Sequence, residues 1–180
     1  MKTENLVKYV LRLTVTLLLI TGIVAAALAG VNAITKDAIA ANQEKKTQDA
    51  LAVVLPGVQG LQKAELSGDT GIVGEVYSDG NSFAVKVLPA GFDGAITMMV
   101  GISEGKITGI SVISHTETPG LGAVAAAQNA KGEAFRGQFV GQEGTLAVGN
   151  QIDAMSGATI TSKAVVTGVN AALDFVANMG

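Results

Sequence analysis

No charged side chain interrupts residues 13–35, a run of 23 positions rich in Leu, Ile, Val and Ala. As a helix it would be ~34 Å long, enough to cross the hydrocarbon core of a bilayer. That length restricts the run to two fates, a retained membrane helix or the apolar core of a cleaved leader. Ala27-Leu28-Ala29 offers a small-residue cleavage pattern. The uncharged run is nevertheless longer than a leader's usual apolar core, and helix-compatible sequence continues beyond it, so we expect an anchor. Lys2, Lys8 and Arg12 precede the run against a single Glu4. The positive-inside bias then puts residues 1–12 in the cytoplasm and everything after residue 35 on the outer face of the cytoplasmic membrane, as a single-pass protein.

The rest of the chain excludes several functions by what it lacks. Setting those three basic residues aside from the total of 12, and Glu4 from the 15 acidic ones, leaves about five net negative charges outside the membrane. A nucleic-acid partner is not expected of such a surface. There is no cysteine, hence no thiolate for an iron–sulfur cluster and no disulfide. One histidine, His115, cannot build a histidine metal cluster. Any redox chemistry must be borrowed from an organic cofactor. Histidine is the side-chain type suited to proton transfer near neutral pH, but a lone histidine at a strand end, as His115 is, is expected to be exposed or bonded to backbone rather than part of a proton relay.

Residues 36–56 keep a helical pattern, with Ile39, Ala50, Leu51 and Val54 among polar residues, until Pro56-Gly57 stops it. Strand-like segments follow at 71–77, 83–88, 95–102 and 106–114. Asp79-Gly80-Asn81, the glycines at 91 and 94, and Ser103-Glu104-Gly105 separate them, which describes antiparallel hairpins. Residues 123–130 read as a short helix, Phe135 and Phe139 as anchors of the next segment, and 146–152 as a last strand. A final helix, capped by Thr161 or Ser162, has apolar positions at three- and four-residue steps from Ala164 to Val176. No Gly-x-Gly-x-x-Gly turn stands where a dinucleotide fold needs one. The expected class is α+β: an antiparallel sheet with flanking helices at 57–180, preceded by a connecting helix at 36–56 and one transmembrane helix at 13–35.

Two stretches carry chemistry. Asp153-Ala-Met-Ser-Gly-Ala-Thr159 sets a hydroxyl on a small-residue turn ahead of a helix. The first N–H groups of a helix have no internal partner and carry partial positive charge, so a phosphate is stabilised beside them. An ordinary N-cap has the same composition. The second stretch, His115-Thr-Glu-Thr-Pro-Gly-Leu-Gly122, combines a turn-forming Pro119, two glycines that admit close backbone approach, and an apolar Leu121 suited to one face of a flat ring.

Together, and in this order, the two stretches resemble the flavinylation signature and the Glu-Thr-Pro-Gly-Leu-Gly loop of the FMN-binding subunits of Rnf and Na+-translocating NADH:quinone oxidoreductase complexes. The resemblance implies an FMN-binding domain with FMN bonded through its phosphate to Thr159, within a pattern made by Asp153, Ser156, Gly157, Ala158 and Thr159. It implies a flavin transferase that moves FMN from FAD and reads Asp153 as part of its recognition pattern. Thr118, Gly120 and Leu121 are the expected ring contacts, Glu117 holds their loop, and Lys163 either adds to the phosphate site or is merely solvated. The compact length favours the G subunit of Rnf complexes, which relays electrons between ferredoxin and NAD+ in an assembly that translocates Na+ or H+. The C subunit of the quinone-reducing complex is the nearest alternative. A membrane-tethered binding module without redox function and a freestanding flavin reductase also remain open. With no acidic or basic residue within the apolar run, ion passage would belong to other Rnf subunits.

Overall fold

A computed structural model describes residues 3–65 and 70–179; Lys2, one of the charges ahead of the apolar run, lies outside them. The chain divides into two compact units, 1–45 and 46–180. The described residues of the first are all helical. They belong to α1 (Thr3–Val54), a 52-residue helix that passes without interruption through both the apolar run and the expected connecting helix. Leu17, Leu18, Ile23 and Leu28 are each more than 60% exposed, a surface suited to lipid rather than water. Thr14, Thr16, Thr21 and Thr35 donate to the carbonyls of Val10, Arg12, Leu17 and Val31, four residues back. These hydroxyls are satisfied by their own helix and need no partner chain.

The second unit is built on a five-stranded antiparallel meander, β1 (Gln62–Ala64), β2 (Val73–Ser78), β3 (Ser82–Val87), β4 (Thr97–Ser103) and β5 (Lys106–Ser114), in sequential order. The hairpin pattern therefore matches the expected strands to within two residues at either end. β1, three residues long, is too short to leave a period in the sequence. Successive side chains point to opposite faces of a strand, and β4 separates two apolar layers accordingly. Met98, Val100 and Ile102 join Val165, Val169, Ala172 and Leu173 of α3 (Thr159–Met179) on one face. Met99 and Ala84 meet Ala50, Leu51, Val54 and Leu55, at the end of α1, on the other. Thr108 of β5 donates from Oγ1 to Val54 O at 2.5 Å, which satisfies one of the open carbonyls of that helix end.

Between the sheet and α3 the expectations need correction. The short helix expected at 123–130 is a 3-10 turn, Gly122–Ala126. A helix that the sequence did not announce, α2 (Ala130–Gly137), follows it, capped by Asn129 Oδ1, which accepts from the N–H groups of Lys131 and Gly132. Phe135 and Phe139 anchor this segment as expected, edge to face with centroids 5.5 Å apart. Arg136 Nη1 donates to Ala125 O and Ala127 O, tying α2 to the 3-10 turn. Residues 146–152 form no strand but a turn with a single bridge, Val148 to Ile152. The last helix begins at Thr159 rather than beyond Thr161 or Ser162.

Candidate functional site

Two Gly-bearing turns face one another beside the start of α3. In the first, Leu121 N–H donates to Thr118 O at 3.2 Å across Pro119 and Gly120, and Gly120 has φ 77°. In the second, Ala158 N–H donates to Met155 O at 3.0 Å across Ser156 and Gly157, and Gly157 has φ 73°. A positive φ at the third position is what a type II turn requires, and glycine adopts it without strain. The turns also touch. A Cβ at position 157 would stand 3.0 Å from Leu121 Cδ2, so any larger residue requires that side chain to shift.

These turns border a cleft of about 350 Å³ lined by Phe92, Glu117, Thr118, Leu121, Gly122, Gly157 and the first four residues from Ala158 to Thr161. Ala158 O accepts the first bond of the α3 ladder, from Ser162 N–H at 2.9 Å. The N–H groups of Thr159, Ile160 and Thr161 therefore have no acceptor within the helix. Three hydroxyls stand here and differ in state. Thr159 is exposed at the mouth of the cleft. Thr161, 2% exposed, donates to Glu117 Oε2 at 2.5 Å. Ser162 is fully buried; its Oγ donates to Ala158 O and accepts from Met155 N–H, both at 2.9 Å.

Glu117 is 5% exposed and braces the site. Its Oε1 accepts from Phe92 N–H at 2.8 Å and Asp93 N–H at 3.3 Å, while Oε2 takes the Thr161 hydroxyl. Thr116 Oγ1 donates to Asp93 O on the same loop. One carboxylate thus joins the Gly91–Gly94 loop, the Pro119 turn and α3. Gly91 and Gly122 leave room for it, because a Cβ at either position would come within 2.3 Å of its oxygens. The sequence expectation has Glu117 hold the Pro119 loop; its carboxylate bonds the Gly91–Gly94 loop and the start of α3, neither of which was foreseen.

Several expected residues stand elsewhere. Gly120, Asp153 and Ser156 line a neighbouring depression with Lys131, Phe135 and Gln138. Asp153 is held there by its backbone: its N–H donates to Gln138 Oε1 at 2.7 Å and its carbonyl accepts from Gln138 Nε2 at 3.4 Å, and the residue is exposed. Lys163 is exposed and lines a third depression with Ile72, Pro89 and Ala90, outside the cleft of Thr159. His115 is not in the cleft. Contrary to expectation, its Nδ1 is buried with no hydrogen-bond partner among the described residues. Sequence reasoning missed Phe92 and Ile160, which are 66% and 55% exposed at the rim. A large aromatic residue between two turn glycines was the available signal.

Comparison with known proteins follows this architecture along the chain. Residues 1–54 match the RnfG N-terminal region and residues 91–174 the FMN-binding domain. The G subunit of the ion-translocating oxidoreductase complex of Methanosarcina acetivorans is 32% identical over 94% of this chain and 95% of its own length. The chain belongs to the G-subunit family of ion-translocating oxidoreductase complexes. Other members of that family include the G subunit of the proton-translocating ferredoxin:NAD(+) oxidoreductase complex of Clostridium ljungdahlii, 36% identical over 87% of this chain and 84% of the relative. The G subunit of the Na(+)-translocating ferredoxin:NAD(+) oxidoreductase complex of Acetobacterium woodii is 34% identical over 96% and 94%. The fold recurs in the crystal structure of the C subunit of Na(+)-translocating NADH-quinone reductase from Parabacteroides distasonis, with TM-score 0.52 and 21% identity over 76% of this chain and 91% of that one. At that identity the likeness concerns the fold alone. Both cleft-forming turns and the start of α3 fall inside the FMN-binding domain of the family.

Proposed function

We propose that this chain carries FMN bonded through its phosphate to Thr159 and relays electrons within a membrane-bound Rnf complex that couples ferredoxin:NAD+ electron transfer to ion translocation. The observation that carries the reading is the sorting of hydroxyls at the start of α3. Thr159 is exposed beside three open N–H groups, whereas Thr161 and Ser162 are buried and hydrogen-bonded. The residues present suit the group. A phosphodiester anion gains from the helix N-terminus, and Phe92, Leu121 and Ile160 offer apolar surface to a flat ring. The family's FMN-binding domain covers all of them.

The same geometry supports attachment. A flavin transferase would read the exposed Asp153, and Thr159 would hold the group through its Oγ and the FMN phosphate. Once bound, the flavin supplies reversible electron uptake. The chain's own residues hold it in place, keep one ring edge reachable at the open cleft, and set its electrostatic surroundings. The ion pathway belongs to other subunits; the named relatives are subunits of complexes that translocate protons in one case and Na+ in the other.

The test is co-expression with a flavin transferase, followed by denaturing electrophoresis under ultraviolet light. The wild type is expected to fluoresce, and Thr159→Val to be dark. Thr161→Val is expected to remain fluorescent. Fluorescence surviving in Thr159→Val would move the attachment point, and a dark wild type would refute covalent attachment.

A further inference from the structure

We propose that the buried carboxylate of Glu117 lowers the midpoint potential of the flavin in this cleft by standing beside it as a negative charge with no basic side chain to pair it. The inference rests on the reading that FMN occupies the cleft. Its independent support is the bonding of Glu117 itself. Oε1 accepts from two backbone N–H groups, which favour the charged form of a carboxyl, and Oε2 meets the Thr161 hydroxyl. Every donor to it is a neutral group. Among the described residues no Lys, Arg or His lines the cleft, and Glu117 forms no ion pair. Lys163, the nearest basic residue in sequence to the attachment point, lines a different depression. Asp93, on the loop that Glu117 holds, is exposed, where solvent screens its charge.

Glu117 is 5% exposed and sits in the wall of the cleft, so its charge is screened less than a surface carboxylate's. It opposes the arrival of each electron given up by a one-electron donor such as reduced ferredoxin. The flavin gains that electron as the donor loses it, and the carboxylate is unchanged. The brace thus has a second effect: the residue that fixes the shape of the cleft also makes its occupant a stronger reductant.

The experiment is a redox titration of the full-length, FMN-loaded protein in detergent, followed by flavin absorbance. Glu117→Gln removes the charge but keeps the shape, since an amide can still accept from Phe92 and Asp93 and donate to Thr161 Oγ1. It is expected to raise the potential, favouring reduction about tenfold, or 59 mV for one electron. Thr161→Val keeps the charge and deletes one donor that partly offsets it, so its potential is expected to fall. Thr161→Ser retains the donor and should match the wild type. A bracing role alone would move Glu117→Gln and Thr161→Val in the same direction. An unshifted or lowered potential in Glu117→Gln overturns the proposal. Peptide mass analysis of Thr159 is done first. Wild-type protein lacking FMN would refute the cofactor reading, whereas loaded protein with an unmoved potential refutes only the role of Glu117.

Discussion

Gly157 meets two demands that no other residue satisfies at once. Its φ of 73° lies where a Cβ costs about 1–2 kcal/mol, and a methyl there would also meet Leu121 Cδ2 at 3.0 Å. Gly144, with φ 69° and nothing within 4 Å, isolates the first cost from the second. Gly144→Ala is therefore expected to destabilise by about 1–2 kcal/mol. Gly157→Ala should lose more, by an amount that reflects the contact between the two turns, and denaturant midpoints of the two variants measure the difference. Equal losses would mean that Leu121 yields freely and that the turns are not held against each other. At this scale the sequence was legible where residue type dictates backbone, as at Pro119, Gly120 and Gly157. It was opaque where a bond spans the fold. Nothing in the spacing of Glu117 and Thr161, 44 positions apart, announces that they meet. Phe92 likewise acquires meaning only once Glu117 anchors its loop.

The elements divide along the same line. β3 and β4 leave an alternating or β-branched signal because both faces are covered, and they were legible. α2 was not, since Gly132 and Gly137 dilute its eight residues and its stability comes from the Asn129 cap and from Arg136 bonded to two carbonyls. The start of α3 was misplaced because Thr159, Thr161 and Ser162 all have side chains that can cap. The choice among them is made by Met155 and Glu117, which lie outside the helix. β1 depends on charge as well as on its ladder. Glu75 of β2 accepts from Lys63 of β1 at 2.5 Å and Lys86 of β3 at 3.0 Å. Partial burial raises the Glu75 pKa, but the two lysine hydrogen bonds outweigh it and hold the folded carboxyl below its ordinary value of 4.5. A carboxyl lowered on folding contributes stability that is complete above its unfolded pKa and lost as pH falls through the folded one. The contribution is small, under about 1 kcal/mol for each partly exposed pair. Amide exchange of Gln62 to Ala64 should therefore accelerate, relative to neutral pH and after correction for intrinsic rates, as pH drops below about 4.5. Glu75→Gln should exchange faster at neutral pH and lose this acid-side change.

At the scale of the molecule, one helix carries two kinds of surface. α1 exposes apolar side chains through residues 13–35, yet its end contributes Ala50, Leu51 and Val54, followed by Leu55, to a protein core. Composition made the first role legible. The second was visible only as a helical pattern running up to Pro56, since the sheet face it covers is assembled from strands more than 25 positions later. α3 has the length and hydropathy to cross a bilayer, but half of its most apolar window is buried against the sheet, which identifies it as a core helix. Sidedness then depends on the charges flanking the first run, with Lys8 and Arg12 ahead of it. The complete absence of cysteine makes this measurable without altering the native background. Glu143→Cys, at an exposed position of the second unit, is expected to react with a membrane-impermeant maleimide in intact cells. Lys8→Cys is expected to react only after lysis. The reverse pattern would put the cofactor domain in the cytoplasm, where a dissociable flavin would be replenished from the cell's own pool and a covalent bond at Thr159 would have no retention to provide.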